Sequence, residues 1–227
     1  MERPPCTHHH LVEFYETEVF LVDTVTDFLA PAVRNWEGVI VIATPEHRRA
    51  FAAAIRGRGI DLDSAERDGL YHALDARELL AALMVRGEPD PANFEEIVGG
   101  LVERTSQGGS MRIYAEMVAL LCSAGDPLAA LAVEDQWNAL AATRDFSLLC
   151  AYPLRVFDVG ARTAFRQICA LHSTVIPAEE YTLATTTDRQ QRVVAELQQE
   201  NAALRAELRR RRRAALAAGS ELSLTRS

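Results

Sequence analysis

The chain of 227 residues has no glycine-rich phosphate loop. Its first strand, His10-Leu-Val-Glu-Phe-Tyr15, leads through Glu16-Thr17-Glu18 into a helix, where a nucleotide-binding α/β protein places that loop. A phosphate loop needs glycines so that backbone N–H groups can approach the anion, then a Lys and a Ser or Thr for phosphates and Mg²⁺. This turn has neither Gly nor Lys, and its two carboxylates repel a triphosphate. Other absences narrow the class further. No stretch approaches the roughly 20 apolar residues of a membrane span. Cys6, Cys122, Cys150 and Cys169 include no Cys-x-x-Cys pair, which argues against a structural zinc site and a disulfide framework, so they are read as reduced thiols. The N-terminus has no apolar core followed by a small-residue cleavage site, and a cytoplasmic location is expected. A net charge of −8 disfavours general nucleic-acid affinity, although Arg209 to Arg213 form a basic run. His172-Ser173 lacks the Gly-x-Ser-x-Gly elbow of a hydrolase.

What is present reads as strands alternating with helices. Val19, Val22, Val25, Phe28 and Leu29 fall at helical spacing over residues 18 to 30. Val39-Ile-Val-Ile-Ala43 is a continuous run suited to a strand buried on both faces of a parallel sheet. Thr44 as N-cap, Pro45 at the first helical position and Glu46 in the first turn then start a helix that reaches Gly57. Further strands are expected at 69–75, 111–115 and 146–153, and helices at 78–85, 91–106, 128–142 and 161–171. This pattern predicts an α/β domain with a mostly parallel sheet, helices on both faces and right-handed crossovers.

In such sheets ligands bind beyond the carboxyl ends of the strands, where strand order reverses. That rule selects Tyr15, Glu16, Thr17, Thr44, Glu46, His47, Glu116 and Tyr152 as candidate ligand-binding residues. Thr44 and Glu46 also fit a plain helix cap and dipole partner. Glu116 stands out because a lone carboxylate is rarely buried without a partner. His8, His9 and His10 invite a metal reading, but consecutive strand residues point to opposite faces and cannot all bind one ion, so neither metal nor cofactor is expected.

His10-Leu-Val-x-Phe-Tyr-Glu, Val39 to His47, Arg58-Gly-Ile-Asp61, Glu116-Met-Val-Ala-Leu120, Glu134-x-x-Trp-Asn138 and Leu148-Leu-Cys-Ala-Tyr-Pro153 occur in that order. Together they resemble the MEDS family, the methanogen/methylotroph sensory domains, over about residues 8 to 181. The resemblance implies a degenerate RecA/KaiC-like fold and a sensing role. Under it, Glu116 falls on the strand of a Walker B acid, and Glu16 and Thr17 in the former phosphate loop.

From Asp188 the composition turns to Gln, Glu, Ala, Leu and Arg, after a capping box at Thr187 and Gln190. With Val194, Asn201 and Leu208 at heptad position a, and Leu197 and Leu204 at d, the segment reads as a parallel two-stranded coil, so a homodimer is expected. A single amphipathic helix packed back on the domain is the plainer alternative. The expected organisation is a tail (1–7), a sensory domain (8–181), a helix (182–216) and a disordered tail (217–227). The expected function is non-catalytic signalling through an unknown small molecule or signalling protein, with no membrane or nucleic-acid partner. The alternatives are an adaptor for a kinase or anti-sigma factor, and a residual nucleotide-binding enzyme.

Overall fold

The Val39-Ile-Val-Ile-Ala43 run is buried along its length because its strand has a neighbour on each side and helices over both faces. The computed structural model describes residues 9–106, 109–157 and 162–178, and in the C-terminal segment residues 191–192, 194–195, 197–199, 203–204 and 207–212. In chain order the elements are β1 (His10–Tyr15), α1 (Glu18–Arg34), β2 (Gly38–Ala43), α2 (Pro45–Gly57), α3 (Leu62–Arg67), β3 (Tyr71–Asp75) and α4 (Ala76–Leu83). A hairpin of β4 (Met84–Val85) and β5 (Glu88–Pro89) follows, then α5 (Pro91–Phe94), a π-helical turn (Glu95–Gly99) and α6 (Gly100–Ser106). The remainder comprises β6 (Met111–Ala115), α7 (Met117–Ser123), α8 (Pro127–Ala141), β7 (Ser147–Pro153), a 3₁₀ turn (Leu154–Val156), α9 (Arg162–Leu171) and β8 (Thr174–Ile176).

Six strands form one sheet in the order β3-β2-β6-β7-β1-β8, and every pairing in it is parallel. The connections from β1 to β2 and from β2 to β3 step toward one edge, and all later ones step the other way. Right-handed crossovers therefore place α1, α2 and α3 on one face and α4 to α9 on the other. The two cores follow this division. Val39, Val41, Ala43, Tyr114 and Leu149 pack with Leu21, Val25, Leu29, Phe51 and Ile55 beneath α1 and α2. Ile40, Ile42, Ile113, Leu148, Cys150 and Tyr152 alternate with them and pack with Leu83, Phe94, Val118 and Trp137.

Local chemistry sets the element ends. Thr44 caps α2 through its hydroxyl, with Pro45 in the first turn, as the sequence predicts. Two expectations are corrected. Helix α1 continues through Pro31 to Arg34 and ends at Asn35, after which Trp36 takes a left-handed turn (φ 58°) into β2. The helix expected at 78–85 begins at Ala76, where Asp75 accepts the N–H groups of Arg77 and Glu78, and stops at Leu83 because Met84-Val85 pairs with Glu88-Pro89. The short elements α3, α7 and β8 fall outside the sequence expectation.

Residues 1–178 and 179–227 form two units. In the second, the described residues between 191 and 212 are helical, and Val194, Leu197, Leu204 and Leu208 are exposed on the single chain. Asn201, Thr187, Gln190, residues 1–7 and residues 217–227 lie outside the described residues.

Candidate functional site

The strand order reverses between β2 and β6, whose crossovers leave toward opposite edges, and the acid just past β6 sits in that crevice. Glu116 is 4% exposed, and its backbone N–H donates to the Ile42 carbonyl at 3.0 Å. Its Oε1 accepts the Thr44 backbone N–H. Its Oε2 lies 2.5 Å from His47 Nδ1 and accepts the Tyr114 hydroxyl at 3.3 Å. On the far side of the imidazole, His47 Nε2 lies 2.7 Å from Glu18 Oε2. Phe51 backs the ring at 5.7 Å and meets Tyr114 edge-on at 5.0 Å.

Both ring nitrogens of His47 face carboxylate oxygens, which only accept, so both carry hydrogen and the ring is an imidazolium. Burial opposes that charge. The hydrogen bond and charge of Glu116, then those of Glu18, more than reverse it and push the pKa up to about 9. Burial, reinforced by the negative charges of Glu18 and Glu116, holds the nearby Tyr15 phenol protonated far above neutral pH. Tyr114, fully buried, is held protonated in the same way.

The candidates selected by sequence separate in space. Thr44, His47 and Glu116 meet directly, and Tyr15 borders them. Thr17 caps α1 by accepting the Phe20 N–H at 3.3 Å, Glu16 is exposed, and Glu46 pairs with Arg49 on the outer side of α2 at 3.4 Å. Tyr152 is a correction to the expected grouping. Strand alternation turns it to the opposite face, where its hydroxyl donates to Glu134 at 2.6 Å. Glu18, absent from the candidate set, completes the bridge. Among the described residues, the side chains close enough to share a metal ion lie on that opposite face, around Glu134.

The helix N-termini α1 and α2 point positive potential into this region, which suits an anion. The protein supplies its own: Glu18 stands in the first turn of α1, and Glu116 accepts the Thr44 N–H at the start of α2. Two carboxylates and one imidazolium leave a net negative charge, the opposite of what a phosphate requires. Two surface depressions lie away from it, one along the outer side of α2 at Arg48, Ala52 and Arg56, another around Glu103, Ser106 and Arg144.

The family model described as "MEDS: MEthanogen/methylotroph, DcmR Sensory domain" matches residues 9–173. Among curated proteins, none matches the chain. Among solved structures, the Aeropyrum pernix ORC1 protein in complex with DNA is similar at 16% identity and a TM-score of 0.33, over 87% of this chain and 51% of that one. The chain thus spans about half the length of that protein, and so low a TM-score assigns neither fold nor function.

Proposed function

The chain belongs to the MEDS family of sensory domains, and from that premise we propose that it is a non-catalytic sensor whose ligand or partner engages the carboxyl ends of β1, β2 and β6. The observation that carries this reading is the Glu18–His47–Glu116 bridge at the strand-order reversal. A RecA/KaiC-like scaffold that has exchanged its phosphate loop for this bridge would keep the binding position while losing the affinity for triphosphate. An incoming molecule acts as a signal only if it binds one arrangement of the bridge better than the other. The route out of the domain in this proposal is the C-terminal helix, whose exposed Val194, Leu197, Leu204 and Leu208 supply the apolar seam of a parallel homodimer.

The test is a thermal-shift screen of the full chain against nucleotides with Mg²⁺, small metabolites, and halogenated or one-carbon compounds, repeated with Glu116→Gln. A ligand held at about 100 times its dissociation constant stabilises the fold by about 2.7 kcal/mol. A shift that disappears in the variant supports the sensor. Turnover of ATP would overturn the non-catalytic reading. A blank panel, with capture of a kinase or anti-sigma factor that depends on residues 188–213, would favour an adaptor.

A further inference from the structure

On the face of the sheet opposite the bridge, four side chains from distant parts of the chain converge: His10 of β1, Glu134 of α8, Cys150 of β7 and His172, directly after α9. All four residues are buried, and their donor atoms lie within 4.8 Å of one another. His10 Nε2 is 3.2 Å from Glu134 Oε2. Cys150 Sγ is 3.6 Å from both of those atoms. His172 Nε2 is 3.5 Å from Glu134 Oε1. With metal–nitrogen and metal–oxygen bonds of about 2.0 to 2.2 Å and metal–sulfur bonds of about 2.3 Å, the edges of a tetrahedral site run about 3.3 to 3.6 Å.

The outer contacts decide which atoms face inward. Asn138 Nδ2 donates to the Leu171 carbonyl at 3.2 Å, which turns its Oδ1 toward His10 Nδ1 at 2.9 Å. His172 Nδ1 lies 2.7 Å from the Ile168 carbonyl. Each contact is to an acceptor, so both Nδ1 atoms carry the hydrogen, and in its neutral form each ring would aim its Nε2 lone pair at the Glu134 carboxylate. Lone pairs facing lone pairs repel, and His172 Nε2 makes no hydrogen bond among the described residues. Protonating one ring would make a single donor to Glu134 and still leave the other Nε2 without a partner, and protonating both would bury two positive charges on rings whose centroids are 4.0 Å apart. One cation at the centre satisfies both nitrogens, the carboxylate and the sulfur together. The carbonyl partners of the two imidazoles, and the Tyr152 hydroxyl on Glu134, are the outer shell that fixes metal ligands in orientation.

From this geometry we infer a closed, four-ligand site for a divalent transition metal of the zinc class, held by His10 Nε2, Glu134, Cys150 Sγ and His172 Nε2. The inference stands apart from the strand-end reading, with which it shares no residue. Two nitrogens, one carboxylate oxygen and one thiolate are a donor set suited to Zn²⁺. On binding, Cys150 loses its S–H proton to solvent as the metal–sulfur bond forms, so the thiolate and Glu134 together balance the two positive charges. Four protein ligands leave no position for a reacting water, so the ion ties β1, β7, α8 and the end of α9 together and performs no hydrolysis.

The test loads the chelator-treated full chain with Co²⁺ and with Zn²⁺. We expect one equivalent of cobalt to give the intense visible bands of a tetrahedral site and a near-ultraviolet thiolate-to-cobalt band, and zinc to raise the melting temperature. A protein with Cys6, Cys122 and Cys169 all changed to Ser keeps the thiolate band, whereas Cys150→Ser loses it. Asn138→Ala retains the spectrum and binds about 10- to 100-fold more weakly. Folded wild-type protein that shows neither the bands nor a zinc-dependent shift overturns the inference. So does loss of the thiolate band in the triple variant while circular dichroism remains native. Both of these readings stand whether or not Cys150→Ser folds.

Discussion

Replacing His47 with Gln should remove a pH-dependent part of the protein's stability, so that the deficit against wild type itself varies with pH. The His47 pKa is raised from 6.5 to about 9 in the folded protein, because Glu116 and Glu18 outweigh the burial that opposes its charge. Folding therefore favours the imidazolium. The stabilisation is complete below pH 6.5 and is lost as the pH rises through about 9. At about 1.36 kcal/mol per unit, a fully dry bridge would supply about 3 kcal/mol. Glu18 is 60% exposed and His47 is partly accessible, so solvent screening leaves ~1 to 2 kcal/mol. Urea unfolding of wild type and His47→Gln from pH 6 to pH 10 measures this directly. The gap between the two proteins should be widest at pH 6 and close toward pH 10. The chain has no lysine, and both proteins share the same thiols and tyrosines, so the difference isolates the imidazole. A gap constant across the window, or a His47 ring resonance titrating near 6.5, would refute the charged bridge.

Tyr152→Phe removes a buried hydroxyl that donates to Glu134 at 2.6 Å, and denaturation should show a loss of about 1.5 to 3 kcal/mol, the range for a hydrogen bond to a charged group. Gly38→Ala puts a Cβ 2.8 Å from the Thr105 carbonyl oxygen and 3.1 Å from its methyl group, so it should destabilise by about 1 to 3 kcal/mol. Gly57→Ala, at the end of α2 with nothing within 4 Å of the new Cβ, should be stabilising by up to about 1 kcal/mol. Sedimentation should show a dimer for the full chain and a monomer for a variant carrying Leu197→Asp and Leu204→Asp.

The layers of the fold were legible because the relevant signals are local. The apolar run of β2 demands two covered faces, and Thr44-Pro45-Glu46 writes the start of α2 in three consecutive positions. Glu116 was legible as well, since an acid directly after a buried strand needs partners. Glu18 was not. In sequence it is an acid in a first helical turn, indistinguishable from a simple dipole partner, and only the packing of α1 beside α2 brings it to His47. Tyr152 was misplaced because nearness to a strand end does not specify a face, and alternation from Leu148 through Cys150 carries it away from Glu116. The three consecutive histidines cannot share an ion, but that argument leaves His10 free to join residues from α8, β7 and the segment after α9. A local signal for that cluster did exist: Glu134 and Asn138 stand four apart, on the same side of a helix that buries Val133 and Trp137.

The two ends of the bridge are unequal, and the inequality predicts which contact yields first. Glu18 is largely exposed, and its exchange of His47 for water costs little, because an exposed ion pair is worth at most about 1 kcal/mol. Glu116 is buried beneath the Thr44 N–H and the Tyr114 hydroxyl, so withdrawing its charge leaves donors inside the protein whose best acceptor has been weakened. At neutral pH, Glu18→Gln should therefore cost less than about 1 kcal/mol, and Glu116→Gln about 2 to 3 kcal/mol. Parallel denaturation of the two variants tests this, and equal costs would show that the bridge is one rigid unit. With the predicted inequality, the Glu18–His47 contact is the weaker joint of the bridge. A ligand that carries its own acceptor for His47 Nε2 can displace Glu18 without disturbing Glu116, and its arrival would register as release of the N-terminal turn of α1.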